Sequence, residues 1–338
     1  MKTNNIIKLS AFIMTTALAA SVVPASLFAG SQDGTATALF LRMDQGARAQ
    51  GVGGAFTAQS SDVECAWWNP AGAITLGGPQ FTASYSSFIE DISAMYAAAA
   101  IPVGAERRSS ILVNVTNVTL GTVDARDATG ASAGSISPTG MEIGVGAALC
   151  LNPALSLGLM AKNVQQNLGS DSSSGMAFDA GILVKLSPHL AFGLSDQNLG
   201  SSVNTTIKDL STTVSNPLPS DLRVGIAYNV IENKLCVTAD GEKPIDADTF
   251  ARVGAEYAIS ETFTLRGGYN SSTSGGVSFG IGILTPISFG GSGGNEESWF
   301  KEGAADRDLA HNVVRIDCAY VATSGFDSTY RISLTLKL

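Results

Sequence analysis

Charge is scarce in this sequence. Asp, Glu, Lys and Arg together make up 14% of its 338 residues, against about 25% in an ordinary soluble protein. The formal net charge is -9, and no cluster of Lys and Arg stands out, which excludes nucleic acid as a partner, since that binding is driven by clustered cations. Histidine is almost missing. His189 and His311 are the only two, and neither neighbourhood offers the nucleophile and orienting carboxylate of a hydrolytic triad or a set of zinc ligands. The four cysteines, Cys65, Cys150, Cys236 and Cys318, form no C-x-x-C pair; one disulfide or four buried thiols are both open. Gly51-Val52-Gly53-Gly54 lacks the strand before it and the G-K-S/T after it that a phosphate loop needs. These absences leave no enzyme chemistry, cofactor or metal to propose. Beyond the N-terminus there is no run of roughly 20 apolar residues, so no membrane helix.

A secretory signal is present at the start. Lys2 and Lys8 precede the apolar run Leu9 to Val23, with small residues at Ala25 and Ala29 as cleavage sites; a short membrane anchor is the alternative. Removal of residues 1-29 takes away two cations and no anion, so the mature chain is near -11. A chain with 45% hydrophobic residues and no second helical span can still cross a membrane as a closed barrel.

Period-two alternation is the dominant pattern. Tyr330, Ile332, Leu334, Leu336 and Leu338 alternate with Arg331, Ser333, Thr335 and Lys337, and in a strand the two sets project to opposite faces. The same division places Arg315 and Asp317, Arg266, Arg252 and Glu256, Asp240 and Glu242, and Arg223 opposite apolar neighbours in successive strands. The apolar faces end repeatedly in Tyr, as the aromatic girdle of a membrane barrel does. A soluble β-sandwich, polar outside and apolar between its sheets, is the alternative. Weaker alternation marks further strands near Phe81–Phe88, Ser93–Val103, Ser109–Val118, Gly140–Leu151, Leu155–Gln165, Gly175–Leu186 and Leu190–Asn198. The expectation is an all-β chain, an antiparallel transmembrane barrel of about fourteen strands, an even number as bacterial single-chain barrels have.

Connections support this. Asn152–Pro153, Ser187–Pro188, Ile231–Asn233 and Ser260–Thr262 are short, whereas Gly121–Thr139, Asn167–Ser174, Leu199–Ser220 and Pro244–Asp248 are longer, matching short periplasmic turns and longer outer loops with both termini periplasmic. Thr285–Ala310 breaks the rule: it falls on the periplasmic side yet is long, Gly-rich and charged.

Residues 30-78 do not alternate. Asp62–Trp68 reads as a short helix capped by Ser61 or Asp62 and stopped by Pro70 and Gly72. Some fifty residues, too few to fold alone, are expected to plug the barrel of residues 79-338. The motifs here are specific: Gly46-Ala47-Arg48-Ala49-Gln50-Gly51-Val52-Gly53-Gly54-Ala55-Phe56, then Trp67-Trp68-Asn69-Pro70-Ala71-Gly72. With Phe88-Ile89-Glu90-Asp91, Glu242-Lys243-Pro244, Gly254-Ala255-Glu256-Tyr257, Arg266-Gly267-Gly268-Tyr269 and Tyr330-Arg331-Ile332-Ser333-Leu334, the chain resembles the PorV/PorQ family, grouped with the FadL-type channels. The resemblance implies a fourteen-stranded barrel with an N-terminal hatch. It implies either passage of hydrophobic small molecules or, in members tied to type IX secretion, binding of exported proteins; a purely structural barrel is a further option. Two features depart from the pattern: the Thr285–Ala310 insertion and a last residue, Leu338, that is not aromatic.

The candidate site residues follow. Gly51, Gly53, Gly54, Trp67, Trp68, Asn69, Pro70, Ala71 and Gly72 belong to the hatch. Trp67 and Trp68 either anchor it to the wall or touch a hydrophobic ligand, and Asn69 either fixes the turn or contacts ligand. The charges Arg223, Asp240, Glu242, Arg252, Glu256, Arg266, Arg315, Asp317 and Arg331 face the lumen as a mutually neutralising network, some of them holding the plug or a polar head group. Tyr330, Ile332, Leu334, Leu336 and Leu338 form the strand read by the barrel-assembly machinery and face outer-membrane lipid.

Overall fold

A computed structural model describes residues 34-59, 61-104, 107-126, 129-200, 202-207, 212-232, 234-272, 275-287, 312-323 and 328-338. The signal sequence, His311 and most of the Thr285–Ala310 insertion lie outside these residues.

The strands are β1 (Gln80–Ser87), β2 (Ile92–Val103), β3 (Ser109–Leu120), β4 (Val123–Arg126), β5 (Ser132–Ile136), β6 (Thr139–Asn152), β7 (Leu155–Leu168), β8 (Asp171–Ser187) and β9 (Leu190–Leu199). They continue with β10 (Val203–Ile207), β11 (Thr212–Asn216), β12 (Asp221–Ile231), β13 (Leu235–Pro244), β14 (Phe250–Ala258), β15 (Phe263–Asn270), β16 (Val277–Pro286), β17 (Val313–Val321) and β18 (Thr329–Lys337). Fourteen of them close an antiparallel barrel. β1 pairs with β18 from Gln80↔Lys337 to Ser87↔Tyr330, so first and last wall strands meet, and β8 pairs with β9 to complete the ring. The other four make two hairpins, β4–β5 and β10–β11, with β10 attached to β8 at Ser172–Ser174.

Pleating sorts the side chains. Along β18, Tyr330, Ile332 and Leu334 are 60%, 49% and 53% exposed on the outside, while Ser333 and Thr335 are buried inside. Phe263, Leu265, Phe279, Ile281, Ile316 and Val253 are likewise exposed, and Arg223, Arg252, Arg266, Arg315 and Asp317 buried. A wall of this kind has its apolar face outside and its charges inside, the reverse of a soluble sandwich. An apolar surface this extensive marks contact with lipid or another protein. Tyr320 and Tyr330 meet edge-on at 5.5 Å near one barrel end.

Three expectations need correction. Asn167–Ser174 is not a long loop: the β7–β8 ladder runs to Leu168↔Asp171, leaving Gly169 and Ser170 as the turn, with Gly169 at φ 92°. Its run of serines looks like a loop because both faces there are polar. The helix of Asp62–Trp68 shrinks to Cys65–Trp68, led by Glu64 without a side-chain cap. Pro70 and Gly72 do not end the structure: Asn69, in extended conformation, breaks the helix, and Pro70 begins a 3-10 turn, Pro70–Thr75, whose Ala71 N–H donates to Asn69 Oδ1. Pro suits a first helical position because its missing N–H is not needed there.

Residues 34-78 thread the lumen. At one end Gly34 N–H donates to Asp246 O and Thr37 N–H to Pro217 O, both acceptors in the long connections. Phe40 and Leu41 pack on Ala94, Val118, Val164 and Ala177. The helix Ala47–Gly51 lies against β15, β16, β17 and β18, and Pro70–Thr75 against β6, β7 and β8. At the far end Leu338 N–H donates to Pro79 O. Gly34 and Leu338 therefore sit at opposite barrel ends; the N-terminus itself lies outside the described residues.

Candidate functional site

Glycines make room for the luminal segment. A Cβ at Gly268 would lie 2.2 Å from Gly53 N, one at Gly254 2.3 Å from Val52 O, one at Gly193 2.2 Å from Thr57 O, and one at Gly158 2.3 Å from Ala71 N. The barrel wall thus meets the segment backbone to backbone. On the segment side Gly53 and Gly54 have φ of +71° and +76°, which side chains rarely tolerate. They form the bend that reaches β14 and β15.

Charges then hold the segment laterally. Arg48 Nη2 lies 2.8 Å from Glu256 Oε1, and Arg266 Nε 2.6 Å from Glu256 Oε2. Arg266 Nη1 is 2.8 Å from Asp317 Oδ1, and Arg315 Nε 2.6 Å from Asp317 Oδ2. Arg315 also pairs with Asp62, which returns to Arg48 Nη1 at 3.2 Å. Six alternating charges close a ring, with Arg48 and Asp62 from the segment and four from β14, β15 and β17. A second group joins Arg223 to Asp221 (2.7 Å) and Glu242 (3.2 Å), Glu242 to Arg252 (2.7 Å), and Arg252 to Asp44 of the segment (2.5 Å). Asp240 accepts Thr57 N–H at 2.9 Å. Buried charges need partners, because the isolated ion is very unfavourable, and here the partners come from both segment and wall.

Trp67 and Trp68 are buried, in T-shaped contact at 4.6 Å. The Arg223 guanidinium lies 4.7 Å from one ring and 4.9 Å from the other. Trp68 Nε1 donates to Gln45 O, and Gln197 Nε2 donates to the carbonyls of Trp67 and Trp68. Asn69 Nδ2 donates to Thr57 O at 2.8 Å and to Ile182 O of β8 at 3.1 Å. All these groups brace the segment, and none of them lines the cavity at the loop end.

A cavity of about 240 Å³ does open at the barrel end holding the long connections, between Arg42–Asp44 of the segment and the ends of β15 to β18. Phe88, Ile89, Met43 and Val321 supply apolar wall; Arg331, Asn270, Gln50 and Thr329 supply polar groups.

The candidate residues separate accordingly. Gly51 packs against Gly280 and Arg266, and Gly53 and Gly54 form the bend. Pro70, Ala71 and Gly72 lie in the 3-10 turn against the wall. Arg223, Glu242 and Arg252 fall in one charge group, Glu256, Arg266, Arg315 and Asp317 in the other, and Arg331 in neither. Tyr330, Ile332, Leu334 and Leu338 face outward, Leu336 being half-buried. Alternation missed Asp44, Arg48 and Asp62, which lie where no period exists. It also missed Lys162, paired at 2.6 Å with Asp179, and Glu142, held by Asn114 and Thr116. The wall glycines carried a usable signal: Gly254 and Gly268 share the parity of Arg252 and Arg266 in their strands. All four cysteines are unpaired.

No protein-family model and no curated protein matches this chain. Solved structures do match. The toluene transporter TbuX of Ralstonia pickettii aligns with TM-score 0.55 at 13% identity, over 86% of this chain and 97% of that one. The toluene transporter TodX of Pseudomonas putida gives 0.56 at 12% identity, over 91% and 98%. A FadL homologue of Pseudomonas aeruginosa gives 0.56 at 9% identity, over 91% and 99%. The fold is that of the FadL-like barrels.

Proposed function

We propose that this chain is an outer-membrane barrel of the PorV/PorQ, FadL-like type that passes small hydrophobic molecules, with residues 30-78 as its hatch. In this reading residues 1-29 are a signal peptide, the barrel-assembly machinery inserts the chain through β18, and the end bearing Leu338 faces the periplasm. The observation that carries it is the cavity of about 240 Å³ enclosed between the luminal segment and the wall at the opposite, loop-bearing end. It is a mostly apolar pocket directly over a segment whose removal would open the lumen. The FadL-like fold agrees with it, and the neighbours of that fold include named toluene transporters. The test is uptake of labelled toluene by Gram-negative cells with and without the protein. Uptake should rise several-fold with the barrel present; equal uptake at equal barrel level refutes the channel.

A second reading, binding of exported protein, has its own support. The hairpins β4–β5 and β10–β11 stand at the loop end, with Thr212 to Ser215 exposed along β11. Native mass spectrometry in mild detergent separates the two. A retained hydrophobic small molecule favours the channel. A secreted protein lost on trimming Val203–Asn216 favours cargo binding.

A further inference from the structure

Among the five inward arginines of the wall, Arg223, Arg252, Arg266, Arg315 and Arg331, only Arg331 joins neither charge group in the described residues. It is 7% exposed. Its Nη1 donates to Thr329 Oγ1 at 2.9 Å, its guanidinium lies 4.9 Å from the Phe88 ring centre, and its Nε has no hydrogen-bond partner. Among the described residues no carboxylate lies within ion-pairing distance of it. A buried guanidinium with an idle N–H is costly unless something accepts from it.

Arg331 borders the cavity at the loop end. Two other charges border it, and both are already engaged. Arg42 pairs with Asp246. Asp44 takes Arg252 at 2.5 Å and Gln50 Nε2 at 2.9 Å. Among the described residues, Arg331 is therefore the charged group on the cavity wall that makes no ion pair and keeps an unused N–H donor. Beside it Met43, Ile89 and Val321 offer apolar surface.

We infer that this cavity binds a small organic monoanion, an aromatic or short aliphatic carboxylate. Its carboxylate accepts from the Arg331 guanidinium, whose planar fork suits two-oxygen recognition. Its hydrocarbon part rests on Phe88, Met43 and Val321. A dianion is disfavoured because its second charge would face Asp44. At about 240 Å³ the site is smaller than the roughly 300–1,000 Å³ of drug-sized ligand pockets, which limits the occupant to a compact molecule. The inference rests on the channel reading and narrows it: at the loop end a compact acid is held more tightly than a neutral hydrocarbon of the same size.

The test is equilibrium dialysis of the purified full chain in mild detergent with benzoate, benzamide and toluene. Wild type should bind benzoate about tenfold or more tighter than either neutral probe. Arg331→Met should abolish that preference, so that benzoate and benzamide bind alike. If that variant fails to assemble, the benzoate-against-benzamide comparison on the wild type decides. Equal or weaker binding of benzoate overturns the inference, as does a preference that survives Arg331→Met. Toluene binding and uptake without benzoate preference would sink the acid site and leave the channel standing. Absence of binding by all three probes, with no uptake in cells, would end both.

Discussion

Gly268→Ala should loosen the luminal segment without touching the barrel. Gly268 of β15 faces Gly254 of β14, and both look inward at the bend Val52–Gly53. A methyl group on Gly268 would sit 2.2 Å from both Gly53 N and Val52 C, whereas ordinary contact begins at 3.4 Å. The bend must therefore withdraw by about 1.2 Å. The atoms on both sides are backbone, so no flexible side chain can yield instead. Overpacking of this kind costs about 1–3 kcal/mol. Arg48 lies only four residues before the bend, and its Nε sits 2.9 Å from Glu256 Oε2; a retreat of the computed size would strain that ion pair as well. Adding Gly254→Ala should cost less than a second full increment, because both methyls push the same bend. The assays are single-channel conductance in planar bilayers and protease cleavage within residues 45-59. Both should rise, while the mobility difference between unheated and boiled samples persists, since no strand pairing changes. Gly267→Ala is the internal control: it is the next residue, and its Cβ would meet nothing within 4 Å. If Gly268→Ala and Gly267→Ala behave alike in both assays, the backbone-to-backbone seat is wrong.

Arg266→Met removes the link between Glu256 and Asp317 and leaves two buried carboxylates short of a partner. It should cost about 3–5 kcal/mol, read as a lower urea midpoint for loss of the unheated band, and an unchanged midpoint would deny the ring a stabilising role. Leu334→Arg places a charge on the lipid side, at about 2–4 kcal/mol near the membrane midplane, and should deplete the assembled barrel from outer-membrane fractions. Thr335→Val removes only the 3.0 Å hydroxyl contact with Thr82 and should still assemble; equal loss in both would reverse the facing of β18. Thr335→Arg, which alternation alone would permit, should fail, because Thr335 sits across from Arg315. Asn69→Ala deprives Thr57 O, Ile182 O and Ala71 N of their partners, at about 0.5–1.5 kcal/mol each, and should raise protease cleavage in residues 57-75 with the barrel intact.

The wall was legible from the sequence because its two faces differ in polarity. An apolar outer face and a charged lumen impose a two-residue period. Alternation in Tyr330 to Leu338 or Leu222 to Tyr228 therefore reports both the strand and its facing. The signal fades toward the loop end, where the side chains on both faces are polar. The serines of β8 at Ser172–Ser174 read as a loop for that reason, and the hairpins β4–β5 and β10–β11 left no trace in the alternation. In the first half, small residues such as Ala94, Ala98 and Gly144 blur the pattern further, hiding Lys162 and Glu142.

Composition and alternation pointed to a closed antiparallel barrel with its charges inside, and the exposed apolar outer face decides against the soluble sandwich that the same alternation allowed. They also marked residues 30-78 as foreign to the wall. Only the tertiary structure decided how the two fit. Arg48 and Glu256 are 208 positions apart, and no local period specifies that they meet. The path of the segment from the loop end to Leu338 depends on which wall positions lack a side chain and on which carboxylates lie within reach of which guanidinium. The same geometry leaves Arg331 without an ion pair among the described residues. In the sequence it is one more inward arginine, because ion pairing depends on distances in space and alternation records only facing.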